Sequence, residues 1–116
     1  MAISPLQSQV DEWASQFPVP YWQPLEILAR LTEETGELAR ELNHQFGAKK
    51  KKKTEAAGDI GDEISDIFFT LICLANSQNI SLDEAWERMM NKINNRDKDR
   101  FVKKETKAAE KPRHLW

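Results

Sequence analysis

Only one cysteine, Cys73, occurs in the sequence, so no disulfide can form within the chain and a reducing cytosol is the simplest home. No apolar run approaches the roughly 20 residues that a membrane span requires. The polar N-terminus, 1–10, lacks the basic start and apolar stretch of a secretory signal. No segment alternates apolar and polar residues with the two-residue period of a strand, which argues against sheet architectures. Net charge is also small. Seventeen basic against 19 acidic side chains leave −2, so the molecule as a whole has no field that would gather a polyanion. Neither a membrane nor a nucleic acid is an expected partner.

What is present fits one soluble domain. The 116 residues are 40% hydrophobic and 31% charged, an ordinary globular balance. A chain of this length builds a modest core, so burial between subunits is a natural supplement. The expected organisation is a helical domain over 1–101 and a charged tail over 102–116. Charge is placed unevenly: Lys49 to Lys53 is an unbroken basic run, and acidic residues gather elsewhere. Lysine runs are commonly solvated loops, but a basic loop near an acidic centre also suits a phosphate-bearing ligand that arrives with a metal ion.

Four helices are expected. Ser4, Pro5 and Gln7 read as N-cap, N1 and N3 of a first helix, with Val10, Trp13, Ala14 and Phe17 at helical spacing and Pro18 and Pro20 as stops. A second opens near Pro24, carries Leu28, Leu31, Thr35, Leu38 and Leu42 as an apolar stripe, and ends near a C′ glycine, Gly47. A third starts after Thr54 and runs to about Gln78. Ile60, Ile64, Ile67, Phe68, Leu71, Ile72, Leu74 and Ala75 cover most of its circumference, which marks it as the most buried. A fourth follows a capping box, Ser81 with Glu84, and buries Leu82, Ala85, Trp86, Met89, Met90 and Ile93. The fold class is all-α, with four-helix, bundle-like packing and helices paired across a homo-oligomer, a homodimer or homotetramer.

The chemistry concentrates in two carboxylate pairs. Glu34 and Glu37 stand one turn apart at the edge of the second helix's apolar stripe. Glu63 and Asp66 repeat the spacing on the third helix, where Asp66 is the only charged residue from Ile64 to Ala75. Pairs at this spacing are commonplace on solvated helix faces. A lone carboxylate in an apolar setting, however, is costly unless a cation or hydrogen-bond donors compensate it. Four carboxylates near one seam repel each other, and a divalent cation resolves the conflict. An all-oxygen set suits Mg²⁺ or Mn²⁺ better than Zn²⁺, and no histidine or cysteine pair competes. Glu33 projects further out, as an outer-shell residue or a ligand of a second ion. Glu41, Asp59 and Asp62 read as surface or capping carboxylates.

Glu33-Glu34-x-x-Glu37, followed after 25 residues by Glu63-x-x-Asp66, resembles the signature of the MazG-like nucleotide pyrophosphohydrolases. LARLTEETGELARELNH, GDEISDIFFTLICLANSQNISLDEAW and KINNRDKDRF look like the small single-domain branch, and the likeness spans about 20–101. It implies an all-α enzyme that cleaves (deoxy)nucleoside triphosphates between the α and β phosphates, in a role of nucleotide-pool housecleaning. It implies that Glu34, Glu37, Glu63 and Asp66 hold Mg²⁺, with Glu33 or Glu37 positioning or deprotonating the attacking water. It further places phosphate contacts late in the chain, where Lys92, Asn95 and Arg96 are the candidates; they read equally well as a basic helix end that complements the dipole. Trp22, Phe46, Phe69 and Trp86 are candidate stacking surfaces, although aromatics at helical spacing are more often core. Two rivals stand beside this reading: a phosphoribosyl-ATP pyrophosphohydrolase, and a non-enzymatic helical module that binds a partner through Lys49 to Lys53.

Overall fold

The computed structural model describes residues 3–47, 58–97, 99, 100, 102 and 104. Among them are four α-helices and no strand: α1 (Ile3–Ala14), α2 (Pro24–Phe46), α3 (Ile60–Ser77) and α4 (Leu82–Arg96). The all-α class expected from periodicity holds. The expected Lys49–Lys53 loop, the Thr54 cap and nearly all of the tail lie outside the described residues. The chain divides into two compact units, Met1–Ser81 and Leu82–Trp116, and each is described by itself.

Local chemistry sets the helix ends, not always where expected. Ile3 is already helical, so Ser4 and Pro5 sit inside the first turn of α1, where a missing N–H breaks no helical bond. The helix stops at Ala14, before the prolines. There the Ser15 hydroxyl donates to the Asp11 carbonyl at 2.7 Å, and the amides of Gln16 and Phe17 tighten onto Trp13 and Ala14. α2 opens at Pro24, and the Gln23 amide donates to Glu26 Oε1 at 3.1 Å. Gly47 closes α2 as expected but with extended backbone (φ −88°) rather than a left-handed turn. Glycine is needed for closeness instead: a Cβ there would lie 2.7 Å from the Asn43 carbonyl oxygen. α3 begins at Ile60, later than the expected start after Thr54, because the Asp59 side chain caps it by accepting the Asp62 amide at 3.1 Å. α4 begins directly after Ser81, as the capping-box spacing predicts.

In the first unit, α3 packs against both α2 and α1. The apolar core is small: Ala14, Ile27, Ile72 and Ala75 are the buried hydrophobic residues among those described. The inward line of α2 is Ile27, Glu34 and Glu41, with Leu31 and Leu38 half-buried beside it. The expected stripe is therefore rotated: Leu28 is 53% exposed and Leu42 40%. Glu41, expected at the surface, is buried. It accepts a hydrogen bond from Gln45 Nε2 at 3.0 Å, and a Cβ at Gly58 would overlap its carboxylate. α3 buries Thr70, Ile72 and Ala75 but leaves Ile64, Phe68 and Leu71 exposed along one side. The expectation that α3 is the most enclosed helix is thus met only on the faces that α1 and α2 cover.

α3 ends in a left-handed residue. Asn79 has φ 55°, and the Ile80 amide reaches back to the Ala75 carbonyl at 2.9 Å, which closes the helix. Asparagine tolerates this conformation and glycine accepts it freely, whereas a β-branched residue is strained by about 1–2 kcal/mol. Asn79→Gly is expected to leave the melting temperature nearly unchanged. Asn79→Val is expected to lower it by about 4 °C or more, measured by circular dichroism.

Candidate metal centre

The seam between α2 and α3 brings four carboxylates together. One oxygen from each of Glu34, Glu37, Glu63 and Asp66 lies within 4.8 Å of the others. The spacing explains how. Residues three apart share a helix face, so each helix turns a pair toward the seam. Helix periodicity foretold the two pairs; their meeting is a tertiary fact.

The four are not equivalent. Glu34 is 1% exposed and is the largest fully buried side chain among the described residues, whereas Asp66 is exposed and Glu63 half-buried. The expectation that Asp66 would be the buried, costly carboxylate is overturned. Glu34 faces inward on the line of Ile27 and Glu41, while Asp66 stands at the open edge of the seam. Arg30, four residues before Glu34, donates to Glu34 Oε1 at 2.5 Å and to Glu33 Oε2 at 3.3 Å. The buried Oε2 atoms of Glu34 and Glu63 have no hydrogen-bond partner among the described residues. Such atoms are expensive to leave unmatched.

Electrostatics follow from this packing. Burial raises the Glu34 carboxyl above its usual range, Arg30 opposes that rise, and Glu37 and Asp66 add to it. Burial also raises Glu63, reinforced by the charges of Glu37, Asp66 and Glu34. A divalent cation would satisfy the two orphaned oxygens and remove the mutual repulsion, so these residues fit a hard metal ion.

A cleft of about 600 Å³ shares Glu34 and Asp66 with the cluster, and its lining also includes Arg30 and the aromatic residues Trp13, Phe17, Trp22 and Phe69. Trp13 meets Phe17 and Phe69 edge to face, with centroids 5.2 and 5.7 Å apart. Of the four expected stacking candidates, Trp22 and Phe69 line this cleft. Phe46 is not among its lining residues, and Trp86 belongs to the second unit. Trp13, Phe17 and Arg30 were not singled out by the sequence as site residues. Only Arg30 left a signal, its i, i+4 spacing to Glu34.

Glu33 lies outside the cluster, 65% exposed and tied to Arg30. Lys92, Asn95 and Arg96 are exposed residues of α4. Arg96 is already engaged: its Nε and Nη2 donate to the two Asp97 oxygens at 3.0 and 2.8 Å, and Arg100 adds a contact at 3.3 Å. The Arg96 hydrogen bond holds the Asp97 carboxyl below its usual range. No described helix is long and apolar enough to cross a membrane.

Comparisons with known proteins follow the same lines. Residues 23–101, more than half of the chain, match the family model of the MazG nucleotide pyrophosphohydrolase domain. The uncharacterized protein YpjD of Bacillus subtilis is 54% identical over 100 residues, covering 86% of this chain and 90% of that protein. A crystal structure of B. subtilis YpjD, described as a candidate pyrophosphatase, superposes with a TM-score of 0.73 at 50% identity, covering 81% of this chain and 96% of that one. A Bacillus-conserved MazG protein, described as a nucleotide pyrophosphohydrolase, superposes with a TM-score of 0.70 at 45% identity, covering 85% and 96%.

The raised carboxyls set a pH dependence for the metal-free protein. With folded values above the unfolded value of about 4.3, the native state binds more protons than the unfolded chain in the interval between them, so stability falls as pH rises. In EDTA the melting temperature is therefore expected to decline as pH is raised from about 4.3 through the raised values. The Glu34→Gln, Glu63→Gln double variant is expected to flatten that decline in a thermal-shift series.

Proposed function

The chain belongs to the MazG nucleotide pyrophosphohydrolase family, and from that premise we propose that it is a Mg²⁺-dependent enzyme acting on (deoxy)nucleoside triphosphates in nucleotide-pool housecleaning. The observation that carries the reading is the convergence of Glu34, Glu37, Glu63 and Asp66 on one point, with buried carboxylate oxygens lacking donors, beside an aromatic cleft. The four carboxylates would hold the ion, with Mn²⁺ as a substitute. Bound there, the cation would neutralise phosphate oxygens and lower the pKa of an attacking water.

The remaining roles fall to the chain's own groups. The water oxygen bonds to one phosphorus of the α–β anhydride, the bond from that phosphorus to the bridging oxygen breaks, and the displaced group leaves with the bridging electron pair, giving the monophosphate and pyrophosphate. Glu37 within the cluster, or Glu33 outside it, is the carboxylate assigned to orienting the water and taking its proton. Arg30 fixes Glu34 Oε1 and so leaves Oε2 for the ion. The aromatic faces of Trp13, Phe17 and Phe69 would take the nucleoside. Lys92, Asn95 and Arg96 are assigned to phosphate binding on family likeness; in Arg96 this requires release from Asp97. We assign residues 1–101 to one catalytic domain and the enzyme to the cytoplasm; the family match over 23–101 supports only the family.

We also assign a homodimer or homotetramer. Leu28, Leu42, Ile64, Phe68 and Leu71 are each at least 40% exposed, an apolar surface large for a chain with so small a core. Light scattering of the purified protein is expected to give an even multiple of the chain mass, and a monomer would overturn this assignment.

A panel of ribo- and deoxyribonucleoside triphosphates with Mg²⁺, scored for pyrophosphate release, tests the reaction. Glu63→Gln is expected to cost more than the 10- to 100-fold typical of an outer-shell loss. Retained activity in that variant would remove Glu63 from the ion site.

A further inference from the structure

The aromatic wall of the cleft is carried largely by the connection between α1 and α2, which supplies Phe17, Val19, Pro20, Tyr21 and Trp22. Most of this connection is exposed. Val19 is 72% exposed and Trp22 59%, so burial does little to hold either in place. Tyr21 is the half-buried exception. Its hydroxyl donates to Asp11 Oδ1 on α1 at 2.6 Å and accepts from Asn76 Nδ2 on α3 at 3.1 Å. Asn76 is itself fixed. Its Nδ2 also donates to the Gln7 carbonyl at 3.0 Å, and its Oδ1 accepts from Gln7 Nε2 at 2.9 Å. Gln7 Nε2 also reaches the Ile80 carbonyl at 2.8 Å.

We propose that Tyr21 is a positioning residue for the nucleoside end of the substrate: its hydroxyl latches the α1–α2 connection onto α1 and α3 and thereby sets the aromatic wall. The proposal rests on the function proposed above and deepens it, because it separates what holds the nucleoside from what holds the ion. Asp11 and Asn76 line a second, polar pocket, and neither lines the aromatic cleft. Of the latch residues only Tyr21 shares the cleft with Glu34 and Asp66. A phenol–carboxylate contact of 2.6 Å is a charge-assisted bond, among the stronger hydrogen bonds available to a side chain. Burial and the bond to Asp11 push the phenol up to about 12, so the hydroxyl keeps its proton throughout the working range. With the bond intact, the connection is pre-organised and binding a nucleoside costs less ordering entropy. Without it, that cost returns on binding while the metal chemistry is untouched.

The test uses the full chain with Tyr21→Phe, Asp11→Leu and the conservative Asp11→Asn, which keeps an acceptor for the phenol. Tyr21→Phe and Asp11→Leu are expected to raise KM for a nucleoside triphosphate by about fivefold or more, the scale of losing one charge-assisted hydrogen bond. The kcat and the inhibition by inorganic pyrophosphate are expected to stay within about twofold, and the KM of Asp11→Asn, which keeps a neutral acceptor, is expected to fall between those of the parent and Asp11→Leu. A merely structural role would move pyrophosphate inhibition by the same factor as KM, and that result overturns the proposal. So does an unchanged KM in Tyr21→Phe. Nucleoside monophosphate binding in EDTA, read by isothermal titration calorimetry, needs no turnover. If no triphosphate is hydrolysed yet Tyr21→Phe weakens this binding, the proposed function fails and the latch stands. If the parent protein binds no monophosphate, the latch proposal fails.

Discussion

Everything in the first unit is organised around one unfavourable fact, a carboxylate buried beside three others. Glu34 is almost wholly enclosed at the α2–α3 seam, where a hydrophobic residue would pack without cost. Arg30 offsets part of the penalty through Oε1, and nothing among the described residues does so for Oε2. Breaking a buried ion pair from one side leaves an uncompensated charge worth several kcal/mol. The arrangement is tolerable only if the fold gains something from it, and a cation bound by all four carboxylates is the gain that matches the chemistry. The exposed edge at Asp66 belongs to the same logic: a site closed on every side would admit neither ion nor substrate.

That asymmetry also shows where the sequence could be read and where it could not. Both carboxylate pairs were visible as i, i+3 spacings, because helix geometry is local and regular. Which member would be buried was not visible. Asp66 stands alone in an apolar helix, which suggests enclosure; yet α3 turns part of that apolar surface away from α1 and α2, and Asp66 lies at the margin. Glu34 sits in a run of charge, which suggests solvent, yet it shares the inward line with Ile27 and Glu41. Hydrophobicity along a helix identifies an apolar face, whereas burial depends on which neighbour covers it. The rotated stripe of α2 has the same cause, since Leu28 and Leu42 sit on the flank away from the line that meets α3.

The all-α class, the order of four helices and most of their ends were legible because caps, prolines and periodicity act within a few residues. The Asp59 cap shows the limit of that reach. By residue type Thr54 and Asp59 are equally good caps, and the start of α3 at Ile60 is marked by the bond from the Asp62 amide to Asp59. The aromatic cleft was less legible still. Trp13 and Phe17 satisfy the helical spacing of a core face, yet each is about half exposed, and Trp13 meets both Phe17 and Phe69. Phe17 lies in the connection after Ala14, which Tyr21 ties to α1 and α3 by hydrogen bonds and which has no periodic signature.

The small apolar core and the acidic seam are linked rather than independent features. With Ala14, Ile27, Ile72 and Ala75 as the buried hydrophobic residues, the first unit has little apolar burial to set against Glu34, Glu41 and Thr70. Two external contributions would restore the balance. Ion binding acts only on the folded state and stabilises it in proportion to occupancy. Covering Leu28, Ile64, Phe68 and Leu71 with another copy would add the apolar burial that the chain lacks alone. The same residues that make the isolated fold marginal are then the ones that make it responsive. A fold that met its polar groups internally would have no use for the cation, and one that buried its leucines internally would have no use for a second subunit.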